Sequence, residues 1–429
     1  MGSLRTGVVE GQALSIAPGV HWLGALDPGM RQFDIILKTA NGTTYNAYCV
    51  RGSSGVAIID TVKEGFSQDF FTRLESVASY DEICAVVLNH LEPDHSGALP
   101  ELMRRAPQAQ LYISPKAMPT LRGVLKGGLD PERIHTTLDE EGESRIIDLG
   151  DRHLHFIQTP YLHWPDTQCT WLVEDGLLFS GDVFGCHFCD ERLFNDKVGD
   201  FRFSFDYYYQ HIMRPFREYV LKALDLIEPL PLRLIAPAHG PVLRESPADY
   251  VRRYRQLATP LLHREAGDEK TLLIFYVSAY GATERMAQAM REGAETIEGV
   301  RVSLFDIAGG EVAPFVDLIE EADGLAFGSP TLNGDAVKPI WDLLSSLTLV
   351  NVKNKLGAAF GSFGWSGEAI GLIEDRLRGL KLRVPLKGVR LKLLPTADEL
   401  VVCRDFGRDF ALHLCGRAER RVLDISELG

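Results

Sequence analysis

The chain has 429 residues, 45% apolar and 24% charged, a composition that suits a soluble protein of two or more domains and excludes wholesale disorder. A net charge of −14 argues against nucleic acid or an anionic membrane as partner. No run approaches the roughly 20 apolar residues that span a bilayer, and no basic-then-apolar leader opens the chain. Seven cysteines, odd in number and dispersed, do not read as a disulfide framework, so a cytoplasmic protein with reduced thiols is expected. Met1, Gly2 and Thr6 fit the loose acylation pattern, which fixes too few positions to be read as more than a chance match.

The first elements read as short strands at 33–38, 43–50 and 56–60, separated by Gly and Asn turn residues. Helix-like and strand-like runs then alternate at 66–79, 83–89, 99–105 and 110–114. Strands follow at 153–158, 167–173 and 177–180, then one long amphipathic helix at 207–227 and a last strand at 233–237. Mixed sheets covered by helices on both sides fit this order. A polar stretch at 258–270 reads as a linker. Beyond it strand and helix alternate strictly: strands at 271–277, 300–305, 324–327, 356–360 and 389–394, helices at 283–294, 313–322, 339–347 and 368–377. The near-continuous apolar run TLLIFYV at 271–277 marks a strand buried on both faces of a parallel sheet, and the whole predicts a small doubly wound domain. The expected domains are 1–262 and 263–429.

Residues 89–97 read NHLEPDHSG and place His90, Glu92, Asp94 and His95 in a loop directly after an apolar strand. Alternation by two puts His90, Glu92 and Asp94 on one side of an extended segment, with His95 turning in after them. His163, Asp182 and His239 also follow apolar strands, so all would project from one sheet edge. Such a set can hold two metals if one carboxylate bridges, and Asp182 is the natural bridge because a carboxylate has two oxygens to share. His153 and His155 alternate on a strand and read as a surface or packed pair. His187 is read either as a hydrogen-bonding neighbour of the metals or as structural. Cys186 and Cys189 form a lone CxxC with no second pair to complete a metal site, and read as structural thiols.

The order HxExDH, then His, Asp and His, resembles the metallo-β-lactamase fold. The hydrolases of that fold carry a second His where this chain has Glu92, and hold zinc. The Glu-containing version resembles the flavodiiron proteins, since an added carboxylate hardens the site and favours iron. The resemblance implies that His90, Glu92 and His163 bind one iron and Asp94, His95 and His239 the other, bridged by Asp182. A zinc hydrolase fused to a flavodoxin is the alternative, with Glu92 as the feature against it.

Behind the first strand of the second domain stands Ser278-Ala-Tyr-Gly-Ala-Thr283, then a helix. Hydroxyls and free N–H groups at a helix N-terminus suit a phosphate monoester. The loop is neither GxxxxGK[ST] nor GxGxxG. Two further loops, Ser329-Pro-Thr-Leu-Asn-Gly334 and 361–368, sit where parallel strands end, which is where ligands of doubly wound sheets bind. Together the three loops resemble flavodoxin. That resemblance implies FMN, with its phosphate held by Ser278, Tyr280, Gly281, Ala282 and Thr283. It implies contacts to the ring from Thr331, Asn333, Gly334, Gly364 and Trp365, and further cofactor contacts from Ser329, Pro330, Ser362, Phe363 and Gly367. The fold expected is α/β, an N-terminal metallo-β-lactamase-like αββα sandwich followed by a flavodoxin-like doubly wound parallel sheet. The two-domain class implied reduces O2 to water or NO to N2O at two irons, fed through FMN by a rubredoxin or an NADH-linked flavin reductase. It also implies a head-to-tail homodimer or dimer of dimers.

Overall fold

The computed structural model describes residues 7–33, 37–126, 128–259, 269–309 and 315–418. The acylation match at 1–6, residues 34–36 of the strand expected at 33–38, residues 260–268 of the expected linker and the start of the helix expected at 313–322 lie outside these. The chain divides into two compact units, residues 1–260 and 261–429.

In the first unit a seven-stranded sheet runs in the order Leu14–Ala17, Val20–Trp22, Tyr48–Arg51, Val56–Ile59, Ile83–Leu88, Gln110–Ile113, Ile134–Thr136. A five-stranded sheet runs Ile146–Asp148, His153–Gln158, Gln168–Leu172, Leu177–Gly181, Leu234–Pro237. Side chains alternate across each strand, so one face of each sheet can turn inward. Trp22, Val50, Ile59 and Val87 from one sheet and Leu154, Leu172 and Phe179 from the other form a single dry layer. On the outer face of the first sheet, helices Ser67–Glu75, Leu99–Arg105 and Met118–Leu125 bury Phe70, Leu74, Leu102 and Leu121. On the outer face of the second, Arg217–Ile227 and Pro247–Ala258 bury Leu224, Val251 and Tyr254. The result is an αββα sandwich.

Three expected elements differ. The strand read at 43–50 is two strands, Thr43–Tyr45 and Tyr48–Arg51, which pair with different neighbours. Asn46 makes the break: it accepts from Trp22 Nε1 at 2.8 Å and donates to the carbonyls of Pro237 and Gly240 at 2.8 and 2.9 Å. The ends of the strand read at 33–38 are two short strands that pair antiparallel, Gln32–Phe33 with Leu37–Lys38. The helix read at 207–227 starts earlier and changes pitch, from α at Arg202–Tyr208 through a wide π-type turn at Tyr209–Met213 and a tight turn at Arg214–Phe216 to α again at Arg217–Ile227. Pro215 is the cause, because it lacks an N–H and its ring crowds the carbonyl of residue 211.

The second unit is one parallel five-stranded sheet, in the order Val300–Asp306, Lys270–Tyr276, Gly324–Gly328, Leu356–Phe363, Val389–Lys392. This 2-1-3-4-5 order is that of flavodoxin-like doubly wound sheets. Helices Lys338–Ser346 and Glu368–Gly379 cover one face. Ala282–Ala294 and Ala397–Leu414 cover the other. The last helix was not among the expected elements, although Thr396 and Glu399 form a capping box that marks its start.

Those last two helices meet through glycines. A Cβ on Gly293 would stand 1.8 Å from the Arg404 carbonyl oxygen, and one on Gly407 would stand 1.9 Å from that of Met290. Alanine at Gly407 gains about 1 kcal/mol of helix propensity. The overlap is with backbone, which cannot swing away, and lies at the severe end of overpacking costs of about 1–3 kcal/mol or more. Gly407→Ala is therefore expected to destabilise the second unit by about 2 kcal/mol, read as a lower urea midpoint of the flavodoxin-like unit.

Candidate metal centre and flavin site

The loop after the strand Ile83–Leu88 is not extended throughout. Pro93 starts a short helix, Pro93–Ser96, so the alternation holds for His90 and Glu92 and then turns. Asp94 and His95 are thereby sent to a different place from His90 and Glu92. Two groups of converging ligand atoms result: His90, Glu92, His163 and Asp182 in one, and Asp94, His95 and His239 in the other.

Asp182 links the groups through its two oxygens. Oδ2 faces His163 Nε2 at 3.6 Å and His90 Nε2 at 4.0 Å. Oδ1 faces His95 Nε2 at 3.4 Å and His239 Nε2 at 3.5 Å. Within the first group, Glu92 Oε2 lies 3.0 Å from both His90 and His163. Within the second, Asp94 lies 3.4 Å from His95 and 3.2 Å from His239.

Neighbouring groups hold these side chains. His90 Nδ1 bonds Asp166 Oδ2 at 3.1 Å, and Leu91 N donates to the same oxygen at 2.8 Å. His239 Nδ1 donates to the Thr44 carbonyl at 2.7 Å. In each case the bond leaves Nε2 to face the centre, the arrangement by which second partners fix a ligating histidine's tautomer. Tyr208, the last residue of the α segment Arg202–Tyr208, donates to Asp182 Oδ1 at 3.0 Å. Asp60, in left-handed backbone, accepts from Asn89 N at 2.7 Å and Nδ2 at 3.1 Å and so anchors the ligand loop from behind. Burial pushes the Asp60 carboxyl up to about 6, against the pull of His95 and Asn89.

The charges are mutually dependent. Burial by itself would raise Asp182, but His95, His163 and His239 hold it well below the usual carboxylate range. Burial likewise works against the charged His90 ring, and Asp166 and Glu92 outweigh it, lifting the ring to about 9. Asp94 and Asp182 Oδ2 are buried and accept no well-formed hydrogen bond; imidazole nitrogens at 3.2–4.0 Å are what face them. Buried acceptors without donors are costly. Converging carboxylates and imidazole Nε2 atoms are the donor set of a pair of divalent cations, whose binding would displace the histidine protons.

His187 sits beside this centre. Its ring packs 4.3 Å from Phe33 and 5.3 Å from His239, and Nδ1 bonds Thr43 Oγ1 at 2.9 Å. Burial and the nearby His239 push it down to about 3, so it stays neutral. Cys186 and Cys189 are unpaired; burial raises both thiols, Cys189 to about 11. His153 bonds Glu174 at 2.7 Å. Sequence reading missed Thr44, Asp60, Asp166 and Tyr208, because their importance lies in what they touch across the sandwich.

In the second unit a cavity of about 400 Å³ opens at the carboxyl ends of the strands. Of the expected phosphate-loop residues, Ser278, Tyr280 and Ala282 line it; of the ring residues, Thr331, Gly364 and Trp365 do, and of the further cofactor residues, Pro330, Ser362 and Phe363. Trp365 is 80% exposed and Tyr280 is 92% exposed, so neither ring is part of the core. Gly281 opens the following helix at φ +80°, a conformation suited to glycine that leaves the next N–H groups pointing outward. Thr331 Oγ1 is buried at the cavity without a hydrogen-bond partner. An aromatic mouth, a helix N-terminus and an unmatched hydroxyl fit a flat ring carrying a phosphate.

The other expected residues stand back from the cavity. Thr283 is buried and bonds Ser362 Oγ at 3.0 Å, tying the first loop to the third. Ser329 Oγ accepts from Val337 N at 3.1 Å and donates to the Pro330 carbonyl at 2.8 Å. Asn333 and Gly334, both at positive φ, form the two-residue turn of a small hairpin, Thr331–Leu332 with Asp335–Ala336. Gly367 caps the helix Glu368–Gly379.

Residues 43–240 match the ODP family beta lactamase, and residues 274–407 match Flavodoxin. The type A flavoprotein fprA of Rhodobacter capsulatus is 62% identical over 415 residues, covering 97% of this chain and 94% of that protein. The flavo-diiron protein FprA2 of Clostridium acetobutylicum is 38% identical over 407 residues, covering 93% and 99%. The chain belongs to the flavodiiron protein family. Among solved structures, rubredoxin oxygen:oxidoreductase from Desulfovibrio gigas is similar with a TM-score of 0.65 and 28% identity, over 95% of this chain and 99% of that one. This flavodiiron protein is thus an oxidoreductase in class, and its αββα sandwich and doubly wound sheet are the two domains of the family.

Because each Asp182 oxygen faces a different group, Asp182→Ala is expected to lose both metals, leaving well under one iron per chain by metal analysis while flavin absorbance is retained. Retention of one full iron per chain would show that Asp182 serves a single metal.

Proposed function

We propose that this flavodiiron protein reduces O2 to water at two irons, with electrons delivered through FMN. His90, Glu92 and His163 hold one iron, Asp94, His95 and His239 the other, and Asp182 bridges. The observation that carries the reading is the position of Glu92, whose Oε2 lies within 3.0 Å of both His90 and His163. A carboxylate there gives each metal group a hard, anionic member, suited to iron that cycles between ferrous and ferric. When bound, two ferrous ions and a reduced flavin supply four electrons, the number O2 requires.

The chain's own groups do the rest. Asp166 and the Thr44 carbonyl fix the faces of His90 and His239, and the Tyr208 hydroxyl fixes Asp182. Burial of His90, His95, Asp182 and His239 keeps bulk water off these groups, which strengthens every charge interaction among them. Ser278, Tyr280, Gly281, Ala282 and Thr283 form the phosphate loop, and the 329–334 and 362–367 loops flank the ring.

The name of the Desulfovibrio gigas relative, rubredoxin oxygen:oxidoreductase, supports O2 as acceptor and a rubredoxin-type donor; two NO molecules, needing two electrons, are the other acceptor the same centre could serve. The described residues contain no helix long and apolar enough to cross a membrane, in keeping with work in the cytoplasm. The test is metal analysis of the purified protein with turnover of O2 and NO under a reduced rubredoxin-type donor. Iron near two per chain and faster O2 consumption are expected; full zinc occupancy with thioester or lactam hydrolysis would overturn the reading.

We also propose a head-to-tail homodimer, alone or as a dimer of dimers, in which each FMN serves the partner's irons. Twofold pairing is the commonest soluble assembly, and it gives a fixed electron path that a flexible linker would not. Mixing a His90→Ala chain with a Thr283→Ala/Trp365→Ala chain is expected to restore activity after subunit exchange. Exchange without recovery would refute the cross-subunit path.

A further inference from the structure

The strand Val389–Lys392 pairs with Leu356–Phe363 as far as Lys392, opposite Phe363. The next N–H, that of Leu393, still donates to the Phe363 carbonyl at 2.8 Å. There the backbone swings into the left-handed region, φ +58°, at a leucine. Glycine takes that conformation freely, whereas a side chain brings its Cβ too close to the following carbonyl. Packing within the unit does not compensate, since Leu393 is 64% exposed and Leu394 is 51% exposed. Both nevertheless line the cavity that Tyr280 and Trp365 line. A strained, water-facing leucine and its water-facing neighbour beside two water-facing aromatic rings are unexplained by the fold alone, and strain of the kind seen at Leu393 collects at ligand sites.

We propose that Leu393 and Leu394 form a further wall of the flavin site and hold the dimethylbenzene edge of the isoalloxazine ring. The inference rests on the reading that the cavity takes FMN. The chemistry assigns the edge: the flavin's pyrimidine end needs hydrogen-bond partners, and its dimethylbenzene end has none to offer. The hydroxyls of Thr331 and Ser362 come from the other ring-side loops, while the 393–394 turn brings only hydrocarbon side chains. The Leu393 N–H bond to Phe363 ties this wall to the loop that carries Trp365.

The two roles of Leu393 predict opposite signs for one substitution. Leu393→Gly relieves the left-handed backbone and removes a side chain that packs on little, so the unfolding midpoint of the full chain stripped of FMN should stay level or rise. FMN affinity should fall about fivefold, the loss expected when roughly half a leucine's apolar surface is no longer covered. Leu394→Ala should weaken FMN by a similar factor. FMN release is read from the recovery of free-flavin fluorescence on diluting the holoprotein, with Trp365→Ala as the reference for a ring contact. A lowered midpoint with unchanged FMN affinity would make Leu393 a purely structural residue and overturn the proposal. Unchanged affinity in both leucine variants, with FMN held by the unaltered protein, would remove the wall and leave the flavin reading standing. An unaltered protein that holds no FMN would remove both.

Discussion

The first unit is organised around the burial of a carboxylate that no ordinary hydrogen-bond donor satisfies on both sides. Asp182 lies at the end of the strand Leu177–Gly181, with one oxygen toward each of two histidine-bearing groups. An isolated buried charge is prohibitively costly, so its retention requires compensating positive charge nearby. The imidazoles provide it in the chain as described, and a metal pair would provide it more strongly. Everything adjacent serves to keep these groups from relaxing apart.

The restraint comes from both sheets at once. Asn89 accepts from Thr170 at 2.7 Å and donates to Asp60, joining the ligand loop to strands of either sheet. Thr44, in the short strand Thr43–Tyr45, and Asn46 just after it tie this segment to the loop that carries His239. Ligands arriving from different strands are therefore fixed relative to one another by the sandwich, which is stiff because its interior is close-packed. The second unit solves a different problem. Its cavity is rimmed by exposed aromatic and aliphatic side chains, so the apolar surface there is held ready for a flat partner rather than buried beforehand.

Much of the chemistry was legible before any fold was known. The types and spacing of His90, Glu92, Asp94 and His95, the later His163, Asp182 and His239, and the small-residue loop at 278–283 are local facts of the chain, and their chemistry depends on residue identity. The strand periods were also local: the near-continuous apolar 271–277 run and the alternating 153–158 run each matched a strand in the structure within a residue or two. The capping box at Thr396 and Glu399 was equally visible in principle, but Gly407 and the β-branched Val401 and Val402 blur the helical period around it.

What the sequence determined by itself, then, was the inventory of ligand types and the alternation of elements, because both follow from residue identity and short-range periodicity. Only the tertiary structure decided that Pro93 sends Asp94 and His95 away from His90 and Glu92, or that Asn46 divides a continuous β-like run in two. It alone decided that Tyr208 reaches Asp182, that Thr283 faces Ser362 rather than solvent, and that Leu393 bends into the left-handed region beside the cavity. Each of these depends on a contact between residues distant in the chain or on a backbone angle that packing imposes. A single sequence encodes such contacts only through the fold, since the partner of a side chain is chosen by where other strands and helices come to rest.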